Sequence, residues 1–428
     1  MSKRAGAVLF LLLAAAFLIV NRGAYRGYFH DDELDTLSWA PRLRPIEIVK
    51  ALVTPRFLTN NFRPAAHFYF YAAGRSFGLD YPKYIAVLHA IHLFNVWLLW
   101  LLMRRLGAKP WAAAAGCLFF ALHMALFDAV WKPMYVYDVL CATFCLLTLL
   151  AYAHGRWVLG LPAFWLAYKC KELAVMLPLV LALCEYWFGK RRWLRLAPYF
   201  AISLSFGLQG VLLNTHHDDA YTFRFTPAAV GETSVFYAAR VFLVPYLGFV
   251  IPVAAWLARN RRAWFGAAMM GILFVPLLFL PGRLFSAYCY LPFTGLAIAF
   301  AGLVESRHPA VAAIFFLLWA PMEYRELRTQ RQARLAVDND VREWVTTAAG
   351  LARTAPRVKA IVYAGEPAGF EAWGVRGALH FVFHRSDDLT VRFIEDPDAA
   401  KLLASDDVAL LSWDHERKKL GVLLRTPQ

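Results

Sequence analysis

Four carboxylates fall within five residues at Asp31-Asp32-Glu33-Leu34-Asp35, shortly after the first apolar run ends at Val20. An acidic knot beside a membrane surface is costly if merely structural, because low dielectric and anionic lipid both disfavour it. Such a knot suits a bound metal, a bound cation or a general base. A second reading is a solvated loop in which Asp31 or Asp32 caps a helix through Leu34, Leu37 and Trp39. Other charged residues sit in polar joints between apolar runs: Arg63, Asp128, Lys171-Glu172, and Arg283 with Tyr288 close behind it. His216-His217-Asp218-Asp219 looks metal-like, yet adjacent histidines rarely chelate one ion, so a solvated loop is the better reading. His89 and His92 share a helical face and read as packing or hydrogen-bonding residues.

These residues are set in a very apolar chain. It has 428 residues, 60% of them hydrophobic, with 34 Phe and a mean hydropathy of +0.46. That excludes an ordinary soluble globular protein and leaves room for many membrane spans. Apolar runs begin at Ala5 and near Tyr84, Trp111, Val139, Trp157, Leu173, Ala197, Val235, Ala263, Leu291 and Val311, which predicts eleven transmembrane helices. Ser2-Lys3-Arg4 before Ala5–Val20 reads as a first span with a cytoplasmic start rather than a cleaved signal. The run from Trp157 to Lys169 is short and must be broken or lie in thinned bilayer. A polar first outer loop, 21–81, carries the acidic knot and an aromatic, Arg-bearing stretch from Phe57 to Phe77 that suits an interfacial helix.

Charge sets the expected orientation. The formal net charge is +15, and Arg325–Gln428 holds 16 Lys+Arg against 15 Asp+Glu, so the excess lies in the membrane part. Short basic junctions (Arg104-Arg105, Arg156, Lys190-Arg191-Arg192, Arg259 to Arg262, Arg307) alternate with the joints holding the acidic knot, Asp128, Lys171-Glu172 and Arg283. By the positive-inside rule this predicts a multi-pass protein of the cell's inner (plasma) membrane, with the acidic knot and the C-terminal region outside. The basic excess then means cytoplasmic loop charge and contact with anionic membrane lipids, not nucleic acid. All six cysteines lie in or beside apolar runs and read as small buried residues, without zinc spacing. After Tyr324 the composition changes. A helix over Asp340–Leu351 and strands at Val358–Tyr363, Leu389–Ile394, Val408–Trp413 and Gly421–Leu424, the last two forming a hairpin, predict a small extracytoplasmic α/β domain over 325–428, following a membrane domain over 1–324.

Several short segments carry a family likeness. Asn61-Phe62-Arg63-Pro64 is followed by Gly78-Leu79-Asp80 and by Leu88 to Asn95 with its H-x-x-N ending. Lys171-Glu172 leads into Leu177-Pro178-Leu179, and Arg283 to Tyr288 leads into Tyr290-Leu291-Pro292 and Gly295. In this order, over roughly residues 1 to 305, the chain resembles the glycosyltransferase C (GT-C) superfamily. Within it the chain is most similar to the protein O-mannosyltransferase-like group, including the tetratricopeptide-containing transmembrane mannosyltransferases, though its tail lacks the repeats.

The resemblance implies an enzyme, a glycosyltransferase that moves a sugar from a polyprenyl-phosphate-linked donor to an acceptor hydroxyl on a glycan, lipid or protein at the outer face. A hydroxyl is a weak nucleophile, so a carboxylate must take its proton. Asp32 or Asp31 would be that base, with Glu33 orienting the acceptor or its partner carboxylate. Charge builds on the departing lipid phosphate, and Arg or Lys clamps stabilise it. Arg63, Lys171 and Arg283 are the candidates, with Glu172, Tyr288 and Asp128 lining the same site. A divalent metal, Mg or Mn, on Asp31, Asp32 and Asp128 could replace one clamp. Each residue also has a plainer role: Arg63 a snorkelling side chain, Lys171 and Glu172 a mutual pair at a helix start, Arg283 a loop cation, Asp128 and Asp138 helix caps. The rival function is a transporter or non-catalytic binder of lipid-linked sugars. A transporter should show mid-span charges and repeated halves, and neither is evident here.

Overall fold

The computed structural model describes residues 3–55, 62–213, 220–385 and 388–425. Four helical stretches are long and apolar enough to cross a membrane: Tyr81–Arg105, Pro133–Ala153, Arg261–Phe279 and Ser286–Glu305. Two bent pairs bring the number to six among the described residues, if each pair is one span. Pro110–Ala121 meets Met124–Trp131 at 48°, and Pro227–Phe242 meets Leu247–Ala258 at 83°. The sharper bend has a local cause. Leu243 and Tyr246 both take left-handed backbone, and Pro245 between them can donate no backbone hydrogen bond.

Of the five remaining predicted runs, four form shorter helices and the one at Val311 opens a long helix, Pro309–Thr354. Trp157–Cys170 has only 14 residues with Pro162 inside it, and Leu177–Phe188 has 12. Each falls short of the roughly 20 residues a full crossing needs. Exposed apolar residues such as Leu11, Leu12, Leu204, Leu208, Val253, Trp256, Leu317 and Leu318 give the helices lipid-compatible outer faces.

The chain divides into two compact units. The first holds Met1–Arg22, Val49–Ala66 and Ala86–Leu327. Its tightest helix pair is Arg261–Phe274 against Tyr290–Glu305. A Cβ on Gly295 would lie 2.7 Å from the Met270 backbone nitrogen, so only glycine permits this approach. Close backbone contact over small residues is how helices associate where lipid removes the hydrophobic drive.

The second unit holds Gly23–Ile48, His67–Ile85 and Arg328–Gln428. The acidic segment therefore groups with the C-terminal region and not with the membrane helices. The expected boundary at 324/325 falls inside one helix, Pro309–Thr354, which runs 46 residues through Pro321 and absorbs the predicted Asp340–Leu351 helix. The four strands are present as β1 (Ala360–Ala364), β2 (Thr390–Phe393), β3 (Val408–Asp414) and β4 (Lys419–Arg425), in the order β2-β1-β3-β4. β1 pairs in parallel with β2 and β3, and β3 pairs with β4 as the expected antiparallel hairpin. The central strand β1 is buried on both faces at Ala360, Ile361, Val362 and Tyr363, as parallel strands covered by helices are.

Candidate active site

The acidic knot is the first turn of a helix, Asp31–Trp39, in the second unit. Neither Asp31 nor Asp32 is its cap. His30 is, in a reciprocal capping box with Glu33. The His30 backbone N–H donates to Glu33 Oε2 at 3.0 Å, which explains why Glu33 is buried. Asp31 Oδ1 accepts from the Glu371 backbone N–H at 2.7 Å, just ahead of the helix Ala372–Val382. That helix packs on the acidic one through Gly377, where a Cβ would lie 2.5 Å from the Asp35 nitrogen. Asp31 is half-buried, whereas Asp32 and Asp35 are exposed.

Behind this helix lies a network that the acidic segment by itself does not announce. Asp338 is wholly buried in the long helix. Its Oδ1 lies 2.8 Å from His30 Nε2 and 2.8 Å from Arg334 Nε, and its Oδ2 accepts from the Tyr28 backbone N–H at 3.0 Å. Arg334 also donates to the Tyr28 carbonyl at 3.2 Å. The only trace in the sequence is the arginine row at 325, 328, 331 and 334, whose last member turns inward.

Burial pushes the Asp31 carboxyl up to about 6, against the lowering effect of the Glu371 N–H. A carboxyl raised on folding favours the folded state when protonated. Its contribution is fullest below its unfolded value and is lost as pH rises through about 6. Asp31→Asn, which is neutral and still accepts from Glu371, should therefore raise the melting temperature at pH 8 and change it little at pH 4. Equal shifts at the two pH values in thermal unfolding would contradict that account.

The cations gather in the first unit, at helix ends. Lys171 sits on extended backbone in the break between Trp157–Cys170 and the helical turns that begin at Glu172. Its Nζ lies 2.6 Å from both carboxylate oxygens of Asp138, in the first turn of Val136–Ala153, and 4.1 Å above the Tyr288 ring. Glu172 turns the other way and takes Arg63 in a two-point pair, at 2.9 Å to Nε and 3.2 Å to Nη2. Lys171 and Glu172 are thus not a mutual pair; each holds a partner from elsewhere in the chain.

Arg283 follows the Pro281-Gly282 turn. It donates to the Tyr288 hydroxyl at 2.9 Å and lies over the rings of Tyr221 and Phe285, at 4.3 and 4.6 Å. Among the described residues no carboxylate pairs with it, and its buried Nε has no partner. Asp128 pairs with Lys132 at 2.7 Å and accepts from the Ser286 hydroxyl at 3.4 Å. Tyr288 thus joins the Lys171 and Arg283 positions into one cationic, aromatic-lined group.

Among the described residues no group of three or more His, Cys, Asp or Glu side chains is placed to hold a metal ion. Asp31 is engaged by Glu371, and Asp128 by Lys132 and Ser286. Asp138, read as a cap, is the buried counter-charge of Lys171. Its sequence signal was weak, because one Asp in a first helical turn looks like any cap. His89 and His92 do pack and hydrogen-bond, to the Val130 carbonyl and the Tyr290 hydroxyl. Residues 56–61, with part of the Phe57–Phe77 stretch and Asn61, and residues 214–219, with the His216 to Asp219 cluster, lie outside the described residues.

No protein-family model and no curated protein sequence matches the chain. Its structure is similar to the crystal structure of ArnT from Cupriavidus metallidurans in the apo state, with a TM-score of 0.63, 12% sequence identity and 100% of both chains covered. The fold is GT-C-like. At this identity the likeness concerns architecture: a polytopic helical membrane protein with a small C-terminal sheet.

Proposed function

We propose that the chain is an integral-membrane glycosyltransferase that moves a sugar from a polyprenyl-phosphate-linked donor to an acceptor hydroxyl at the outer membrane face. The observation that carries this reading is the Lys171–Tyr288–Arg283 group. Arg283 offers a buried, unpartnered N–H and no carboxylate competes for it among the described residues, which suits an incoming phosphate. Lys171 and Arg63 are already neutralised by Asp138 and Glu172. They contribute through positioning, and Arg283 is the principal clamp on the departing phosphate. Asp32 takes the acceptor proton, since it is exposed at the start of the acidic helix where Asp31 is half-buried and Glu33 buried. A hexose donor is what the resemblance to the O-mannosyltransferase-like group implies.

The test is donor binding. Arg283→Met should weaken a polyprenyl-phosphate hexose by about tenfold or more, the scale of a lost charged hydrogen bond, while folding normally. Unchanged donor affinity would remove the clamp. Donor binding without any transfer to glycan, lipid or protein acceptors would favour the binding-protein reading instead.

A further inference from the structure

The second unit contains a cleft of about 780 Å³ that plays no part in the reaction above. One wall is a stripe of the long helix, where Asn339, Arg342, Thr346 and Arg353 recur at three-, four- and seven-residue steps on one face. The facing wall is the segment Tyr25 to Tyr28, and the turn Leu79 to Pro82 closes one end. Arg342 is fixed in place: its Nη2 donates to the Arg26 and Gly27 carbonyls, both at 2.7 Å, and its guanidinium lies 5.3 Å from the Tyr28 ring centroid. Tyr28 and Tyr81 are buried and give the cleft a rigid floor.

Three arginines line this space, at 26, 342 and 353, against one carboxylate, Asp80. Asp80 is paired with Lys83 at 2.8 Å, so the cleft is left with a surplus of positive charge. Side-chain amide and hydroxyl groups at Asn339 and Thr346, together with ring surface at the half-buried Tyr25, match a ligand with several hydroxyls and apolar C–H faces. Arginine forks add a fit for phosphate or carboxylate oxygens. We infer that this cleft binds a carbohydrate carrying a negative charge, a phosphorylated or carboxylated sugar of one or two rings. The volume is of the size that encloses such a ligand.

The experiment uses the full-length protein in detergent, with glucose 1-phosphate as probe and glucose and inorganic phosphate as controls, read by isothermal titration. Arg283→Met serves as background, so that binding at the proposed donor clamp is not counted. Glucose 1-phosphate should bind about tenfold or more tightly than glucose, the effect of one charged hydrogen bond, and should outcompete inorganic phosphate. Arg26→Gln/Arg353→Gln should weaken it by at least as much. Both side chains are exposed, so this variant should keep its melting temperature, whereas Arg342 supports the fold. Equal affinity for glucose, equal competition by inorganic phosphate, or undiminished binding in the double variant would each overturn the assignment. A loss of binding in Arg283→Met alone would place the probe at the donor clamp and also overturn it.

Discussion

Asp32→Asn should lower sugar transfer by about 10²–10⁴-fold, the usual scale for loss of general-base catalysis, while leaving donor affinity intact. An amide keeps the shape and the hydrogen-bonding capacity of the carboxylate but is a far weaker base. The neighbours serve as internal controls. Asp31 is held by the Glu371 N–H, and its Asn variant still accepts that bond, so its turnover should fall much less. Asp35 lies one turn on in the same helix and is exposed; Asp35→Asn should be close to normal. The measurement is turnover with a defined donor and acceptor. If Asp32→Asn keeps near-normal turnover, the knot is structural and the proposed mechanism loses its base.

Asp338→Ala should destabilise the protein by about 3–5 kcal/mol, the cost of leaving a buried charge without its partner. Asp338 is wholly buried, and His30 and Arg334 each place a nitrogen 2.8 Å from the same oxygen. Removing the carboxylate takes the Asp338 counter-charge from the guanidinium and the acceptor from the Tyr28 N–H together. Asp338→Asn retains an acceptor for Tyr28 but not the charge, so it should fall between the wild type and Asp338→Ala. Thermal unfolding or limited proteolysis would register the loss. Because His30 caps the acidic helix, turnover should fall with stability, and donor affinity, assigned to the other unit, should not. An Asp338→Ala protein with an unchanged melting temperature would show that the network is dispensable.

What was legible in the sequence is what local chemistry dictates. Hydropathy marks the apolar runs, because a segment either tolerates lipid or does not, and most of those runs begin at or close to the start of a described helix, the run at Val235 falling instead inside Pro227–Phe242. Alternation and turn residues located the four strands and the β3–β4 hairpin, since a tight turn pairs strands adjacent in sequence. The charged joints were visible for the same reason: Lys171, Arg283 and the acidic knot interrupt apolar stretches.

Only the tertiary structure decided the partners. Lys171 and Glu172 are neighbours in the chain, yet they pair with Asp138 and Arg63, 33 and 109 residues away. Asp338 meets His30 across 308 residues. A charge pair is set by where helix ends converge in space, and a one-dimensional pattern carries no term for that. Hydropathy likewise could not tell that a helix of 46 residues passes the predicted boundary without a break, because solvent changes along a helix while its backbone hydrogen bonds continue from turn to turn.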